Sequence, residues 1–326
     1  MEKLKEFVPG RIFDAHAHLY DVAYLPEMAT PGSIYAEYGP VADRAGYERH
    51  QGALYAGIEK LRLNVVSVPD GSMSDRPNGH RARCNEFLAS HLESNPCDVG
   101  AAIVLPDDTD EDIKNLLVHP NIRGLKCYHV MAGRKPTWQA DIDEYLPESA
   151  WRVADEYGLC VTLHMVKDAA LADPANNRII REKAKKYPNA KLILAHAARG
   201  FAAWTVLEGV KGLSEFPNVY FDVSAICEPM PICAVLKESG PEKVLWGSDF
   251  PVSMIRGKCI SIGAGFLWLE TPLLEKQNSL TPENVVFVGM ENLSALKQAC
   301  EILDLGRADV EDIFYNNAMR LFGLSD

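Results

Sequence analysis

The chain predicts an α/β fold, a closed (β/α)8 barrel, on three observations: about eight short apolar runs, helical patterns between them, and ligand-type residues closing several runs. Near-continuous apolar runs suit strands of a parallel sheet buried on both faces, and such a sheet needs crossover helices. About eight units favour a TIM barrel over an open sheet, and no Gly-x-Gly-x-x-Gly follows the first run to suggest a dinucleotide fold.

In chain order, strands are expected at residues 12–15, 64–68, 100–105, 124–128, 160–164, 191–196, 219–223 and 244–247. Helices are expected between them at 46–60, 84–94, 110–117, 147–157, 177–187 and 204–213. The segment 19–49, rich in Tyr, Pro and Gly, follows the first strand and would hang over the barrel mouth as a substrate loop or lid, with an oligomer contact as the alternative. After the last strand, Thr281 can cap a helix opening with Pro282, and residues 289–303 and 310–321 read as extra C-terminal helices covering the barrel's outside.

With 326 residues and 47% hydrophobic content the chain can bury a large core, and barrels of this size occur as one domain, here residues 1–326. The net charge of -12 argues against nucleic acid or an anionic membrane as partner, because a phosphate-binding surface needs a basic stripe. The N-terminus lacks the apolar core of a signal peptide, and no run reaches the ~20 apolar residues of a spanning helix, so a cytoplasmic location is expected. The 8 cysteines show no Cys-x-x-Cys pair and suit reduced buried thiols.

His16 and His18 end the first run, in Arg11-Ile12-Phe13-Asp14-Ala15-His16-Ala17-His18. Side chains at i and i+2 of a strand share a face, so both imidazoles point to one place. Alone, the pair is equally compatible with one packed and one exposed histidine. Three later runs also end on ligand types: Leu159-Cys160-Val161-Thr162-Leu163-His164, Lys191-Leu192-Ile193-Leu194-Ala195-His196 and Val244-Leu245-Trp246-Gly247-Ser248-Asp249. Folding does not require polar groups at strand ends, and in a barrel those ends form the active-site face.

These strand-end residues resemble the amidohydrolase superfamily. The strings Leu192-Ile193-Leu194-Ala195-His196, Trp246-Gly247-Ser248-Asp249-Phe250-Pro251 and Asn316-Asn317-Ala318-Met319-Arg320-Leu321-Phe322-Gly323-Leu324 are similar to its branch amidohydrolase family 2. That branch includes hydrolases and nonoxidative decarboxylases such as aminocarboxymuconate semialdehyde decarboxylase, so the resemblance implies metal chemistry without selecting the reaction. Imidazole and carboxylate ligands with an open position suit zinc or a similar divalent ion, which lowers the pKa of bound water to about 7. His16, His18, His164 and Asp249 are assigned to the metal; the resemblance implies that Asp249 also accepts a proton from the bound water. His196 is placed just outside the ligands, polarising a substrate carbonyl or shuttling a proton. Taken singly, His164 also reads as a satisfied barrel-top histidine and Asp249 as a turn residue before Phe250-Pro251. His50, His80, His91 and His119 read as surface or structural, and His129 stays open as a pocket-facing residue.

Lys126, on the expected fourth strand, divides the alternatives, since a lysine in a buried barrel mouth is costly without a task. In binuclear relatives such as dihydroorotase and phosphotriesterase a fourth-strand lysine is carbamylated and bridges two metals, with His164 and His196 serving the second ion here. In family 2 such a lysine also occurs beside one metal, pairing with a substrate carboxylate or a neighbouring acid. The family 2 strings favour one divalent ion, zinc, with two metals and carbamylated Lys126 as the alternative. Arg199 suits a substrate carboxylate gripped in bidentate fashion, or is a surface arginine. Tyr20, Tyr128 and Trp246 are candidate pocket walls.

The expected activity is hydrolysis of an amide, ester or lactone in a small carboxylate-bearing molecule by metal-bound hydroxide. The alternatives are a metal-dependent decarboxylase and a noncatalytic metal- or ligand-binding barrel. A related deoxyribonuclease is disfavoured, because it would want an acidic ligand where Lys126 stands and a surface less repellent to phosphate. The expected partners are a small-molecule substrate and, in a homodimer, a second copy.

Overall fold

The structure is a computed structural model that describes residues 2–31, 33–37, 41–52, 54–55, 57–74, 79–270 and 285–325. Eight parallel strands follow one another around the barrel: β1 (Arg11–Ala17), β2 (Lys60–Val66), β3 (Val99–Ile103), β4 (Ile122–Cys127), β5 (Cys160–Leu163), β6 (Lys191–Leu194), β7 (Val219–Asp222) and β8 (Val244–Leu245). The seam closes where the chain leaving β8 meets β1. Ala15 N–H donates to Trp246 O at 2.9 Å, Asp249 N–H to His16 O at 2.7 Å and His18 N–H to Phe250 O at 3.0 Å.

The helices lie between the strands, and their limits follow local chemistry. Helix Pro174–Lys186 starts three residues before its expected place because Asp173 caps it and Pro174 occupies its first position. Helix Asp110–Lys114 opens with a capping box in which Thr109 Oγ1 accepts from Asp112 N–H and Asp112 accepts from Thr109 N–H. Helix Glu148–Tyr157 stops at Gly158, which takes the left-handed conformation. Helix Arg44–Gln51 is shorter than the apolar periodicity of 46–60 suggests, since the chain turns at Gly52 and enters β2 at Lys60. The helix expected at Thr281 lies outside the described residues. No helix among the described residues is long and apolar enough to cross a membrane. All eight cysteines are free thiols, seven of them buried.

Inside the barrel, Phe13, Ala15, Cys160, Ile193 and Leu245 pack against Tyr315, Met319 and Phe322. The C-terminal helical segment therefore does more than cover the outside: it plugs the end of the barrel opposite the site. Asn317 Nδ2 fastens it by donating to Pro241 O at 2.7 Å and to Val244 O, at the start of β8, at 2.8 Å. A rigid floor under the strands keeps their upper ends in fixed register.

One irregularity decides where the first two histidines point. Asp14 sits opposite Leu63 but Ala17 opposite Val65, so β1 carries a bulge of one extra residue. A bulge switches which side chains face inward and often marks a barrel rim beside a site. Below it Phe13 and Ala15 face the core, and above it His16 and His18 face the cavity.

Candidate active site

A cavity of about 450 Å³ opens at the C-terminal ends of the strands, and His16, His18, Lys126, His164, His196, Arg199 and Asp249 all line it. Every site residue expected from the sequence is thus gathered in one place. Their hydrogen bonds separate them into two groups.

The first group converges on Asp249. His18 Nδ1 lies 2.6 Å from Val66 O, which only accepts, so Nδ1 carries the proton and Nε2 keeps its lone pair. His16 Nδ1 lies 3.0 Å from Asp222 Oδ2, again an acceptor, so its Nε2 is likewise unprotonated. Both Nε2 atoms face Asp249 Oδ1, at 3.3 Å from His18 and 3.7 Å from His16. The His16 Nε2 atom is buried and has no hydrogen-bond partner. Three acceptors thus meet with no donor between them, an arrangement that a cation satisfies and hydrogen bonding cannot. The donor set therefore fits a divalent ion of the zinc or manganese type.

The second group is a relay. Arg199 donates to His164 Nε2 at 3.3 Å, which leaves the ring proton on His164 Nδ1 to be donated to His196 Nε2 at 3.1 Å. His196 Nδ1 then donates to Ser224 O at 3.1 Å and Ser224 Oγ at 2.9 Å. Both ring nitrogens of His164 are engaged here, one with His196 and one with Arg199. By proximity alone His16, His196 and Asp249 form the ligand cluster, with their atoms within 4.8 Å of one another. Hydrogen bonding sets His196 apart from it, because both its nitrogens already have partners. Donor chemistry is the better guide, since a nitrogen without a free lone pair cannot bind an ion.

Backbone conformation aims this second group. β6 ends at Leu194, two residues earlier than expected, because the chain enters a left-handed turn in which His196, Ala197, Ala198 and Arg199 have φ of 57°, 46°, 59° and 60°. Left-handed conformation costs an L-residue roughly 1–2 kcal/mol. Four in succession persist only where the surroundings fix them, and such strain concentrates at functional sites. Asp249 shares the conformation, with φ of 56°.

Electrostatics follow burial. Burial pushes the Asp249 carboxyl up, while the facing His196, His18 and His16, when they carry a proton toward it, pull it further the other way, below the ordinary range. Burial pushes the His164 imidazole well down, and His196 and Arg199 add to the effect. Desolvation also lowers Lys126, with Cys127, Asp249 and Asp222 pulling the other way. Lys126 is 1% exposed, and its ammonium lies 5.7 Å from the Tyr128 ring with no carboxylate at ion-pair distance among the described residues. Arg199 stacks over Phe266 at 5.4 Å. Two cations without acidic partners, one of them fully buried, leave the cavity suited to an anion. Burial and Arg199 push His129, which lines the same cavity, down to about 4.

Several contributors escaped the sequence reading. Asp222 and Ser224 hold the histidines, and Asp14 locks the seam by accepting from Ser248 N–H at 2.9 Å and Tyr47 Oη at 2.6 Å. A hairpin of β9 (Gly257–Ile262) and β10 (Gly265–Glu270) brings Phe266 and Trp268 to the cavity. Its signal was present: two apolar runs around Gly263-Ala264-Gly265 read as a hairpin. Tyr128 lines the cavity as expected, but Trp246 is buried against Tyr55 and Phe314, and Tyr20 packs on Tyr35. The 19–49 segment contributes Met28 and Tyr35 to the cavity wall.

The sequence profile described as amidohydrolase matches residues 13–324. L-fucono-1,5-lactonase of Burkholderia ambifaria is 25% identical over 285 residues, covering 79% of this chain and 86% of the lactonase. Among solved structures, an amidohydrolase from Burkholderia multivorans with bound zinc superposes with a TM-score of 0.61 at 12% identity, covering 97% of this chain and 100% of that one. 5-Carboxyvanillate decarboxylase from Sphingomonas paucimobilis gives a TM-score of 0.58 at 13% identity over 97% of this chain and 100% of that one.

Proposed function

Because this chain belongs to the amidohydrolase family, we propose that it is a hydrolase dependent on one divalent ion, acting on a cyclic ester or related carbonyl of a small carboxylate-bearing molecule. The observation that carries the reading is the convergence of His16 Nε2, His18 Nε2 and Asp249 Oδ1 beside two unpaired cations. Likeness to a lactonase over most of both chains supports hydrolysis of a lactone in particular. That His164 and His196 are engaged with each other and with Arg199 supports a single ion over a pair bridged by carbamylated Lys126.

When held by His16, His18 and Asp249, the ion supplies Lewis acidity, polarising a carbonyl and making water more acidic. The chain's own residues do the rest. Asp249 Oδ2, which faces His196 Nδ1 at 3.9 Å, is placed to take a proton from the attacking water. Arg199 and Lys126 grip the substrate carboxylate and orient the carbonyl. The proton that Asp249 takes from the attacking water is passed to the product alkoxide, beside the polar wall formed by His164 and His196, which burial keeps neutral. Phe201, Phe266 and Trp268 pack at a tilt to one another along the cavity wall and limit the access of bulk water.

The test is product analysis in 18O-labelled water with zinc- or manganese-loaded protein and a panel of carboxylate-bearing lactones and aromatic acids. Incorporation of one labelled oxygen without carbon dioxide supports the hydrolase. Carbon dioxide without labelled oxygen in the product refutes it and makes the protein a decarboxylase.

A further inference from the structure

We propose that Asp222 is a positioning residue that decides which nitrogen of His16 is free for a cation, while anchoring the turn that carries His196; the inference rests on the reading of His16 as a cation ligand. The two carboxylate oxygens divide these tasks. Oδ2 faces only His16 Nδ1, at 3.0 Å. Oδ1 accepts from His196 N–H at 3.0 Å, Ser224 N–H at 3.1 Å and the Ser224 hydroxyl at 2.5 Å. Asp222 is fully buried, so solvent supplies no substitute partner.

This division has a sharp consequence for an isosteric change. In Asp222→Asn the amide oxygen must take the Oδ1 place, because three donors point there and an NH2 group would oppose all of them. The NH2 group then faces His16 Nδ1 and donates to it. A nitrogen that accepts cannot carry the proton, so the ring proton moves to Nε2. There it donates toward Asp249 Oδ1, and the lone pair that a cation needs is gone. The anchor of the left-handed turn at His196 N–H is retained, so the fold has no reason to change. The same carboxylate therefore serves one histidine on β1 and another in the turn after β6, and an amide serves only one of them.

The experiment is run on metal-free protein carrying 15N-labelled histidine, with the His16 signals assigned by their loss in His16→Gln. Long-range 15N–1H spectra read the tautomer, and calorimetric titration with Zn2+ alone reads the affinity. Wild type is expected to carry the His16 proton on Nδ1 and Asp222→Asn on Nε2, with Zn2+ affinity lowered roughly 10- to 100-fold and an unchanged circular dichroism spectrum. A proton on Nε2 in metal-free wild type overturns the proposal, as does Zn2+ affinity in Asp222→Asn within about twofold of wild type, against the 10-fold minimum expected. The wild-type tautomer decides the matter even if the variant fails to fold. Wild type with the proton on Nδ1 but no Zn2+ uptake refutes the cation reading while leaving the hold of Asp222 on His16 in place.

Discussion

Gly247→Ala tests the site through its tightest contact. The added methyl would stand 2.8 Å from His16 Cβ, 3.1 Å from Ser224 Cβ and 3.3 Å from His16 N. None of these is the free end of a flexible side chain, and β1 is tied to this stretch by Ala15 N–H to Trp246 O and Asp249 N–H to His16 O. Ordinary contact begins near 3.4 Å, so the seam must open by roughly 0.6 Å beside His16. Overpacking of this kind costs about 1–3 kcal/mol, which lowers Tm by a few degrees in a chain of this size. Metal sites tolerate only about 0.2 Å of ligand displacement, so divalent affinity should fall by more than about tenfold. Thermal melts of metal-free protein and Zn2+ titrations measure both effects. Gly133→Ala, whose methyl would meet nothing within 4 Å, is the control and should match wild type. A Gly247→Ala protein that melts and binds Zn2+ like wild type would refute the packing of Gly247 on His16.

Arg199→Ala should raise KM for a carboxylate-bearing substrate about 30-fold, the equivalent of about 2 kcal/mol for a charge-assisted hydrogen bond, and leave kcat much less affected. An equal loss on a neutral ester analogue would show that Arg199 does not grip the carboxylate. Glu148 accepts from Lys183, Lys186 and Tyr187, and although burial raises its carboxyl, these partners bring it from 4.5 down to about 2. A depressed carboxylate contributes stability that is full above its unfolded pKa and fades as pH falls from about 4.5 toward 2. With a third of the side chain exposed, solvent screening limits this to about 1 kcal/mol or less. Urea denaturation should therefore show Glu148→Gln less stable than wild type at neutral pH, with the gap closing as acid is added; a gap that stays constant into acid would contradict the ion-pair origin.

The barrel and the residues lining its cavity were readable because both leave periodic traces. A buried parallel strand must be apolar along its length, so a histidine or aspartate at its end stands out, and His164, His196 and Asp249 were found in that way. Asp222 gives the same signal inside Val219-Tyr220-Phe221-Asp222-Val223, but lacks a neighbouring histidine to draw notice. The bulge in β1 was not readable, because the i, i+2 rule puts His16 and His18 on one face without saying whether that face looks inward. The left-handed turn at His196 also left no trace. Its residues include two alanines and no glycine, so the conformation is imposed by Asp222 and the packing around it, not by local preference. The division between His18 and His164 depends on which carbonyls and guanidinium their outer nitrogens meet, and those contacts join residues far apart in the chain.

A single cation centre built from His16, His18 and Asp249 has a stoichiometry that metal analysis of purified protein, after loading with zinc or manganese, reads without reference to any substrate. Close to one ion per chain is expected, falling toward zero in His16→Gln and in Asp249→Asn but kept in Lys126→Ala. A ratio near two that drops in Lys126→Ala, or a ratio unchanged when Asp249 loses its charge, would contradict it.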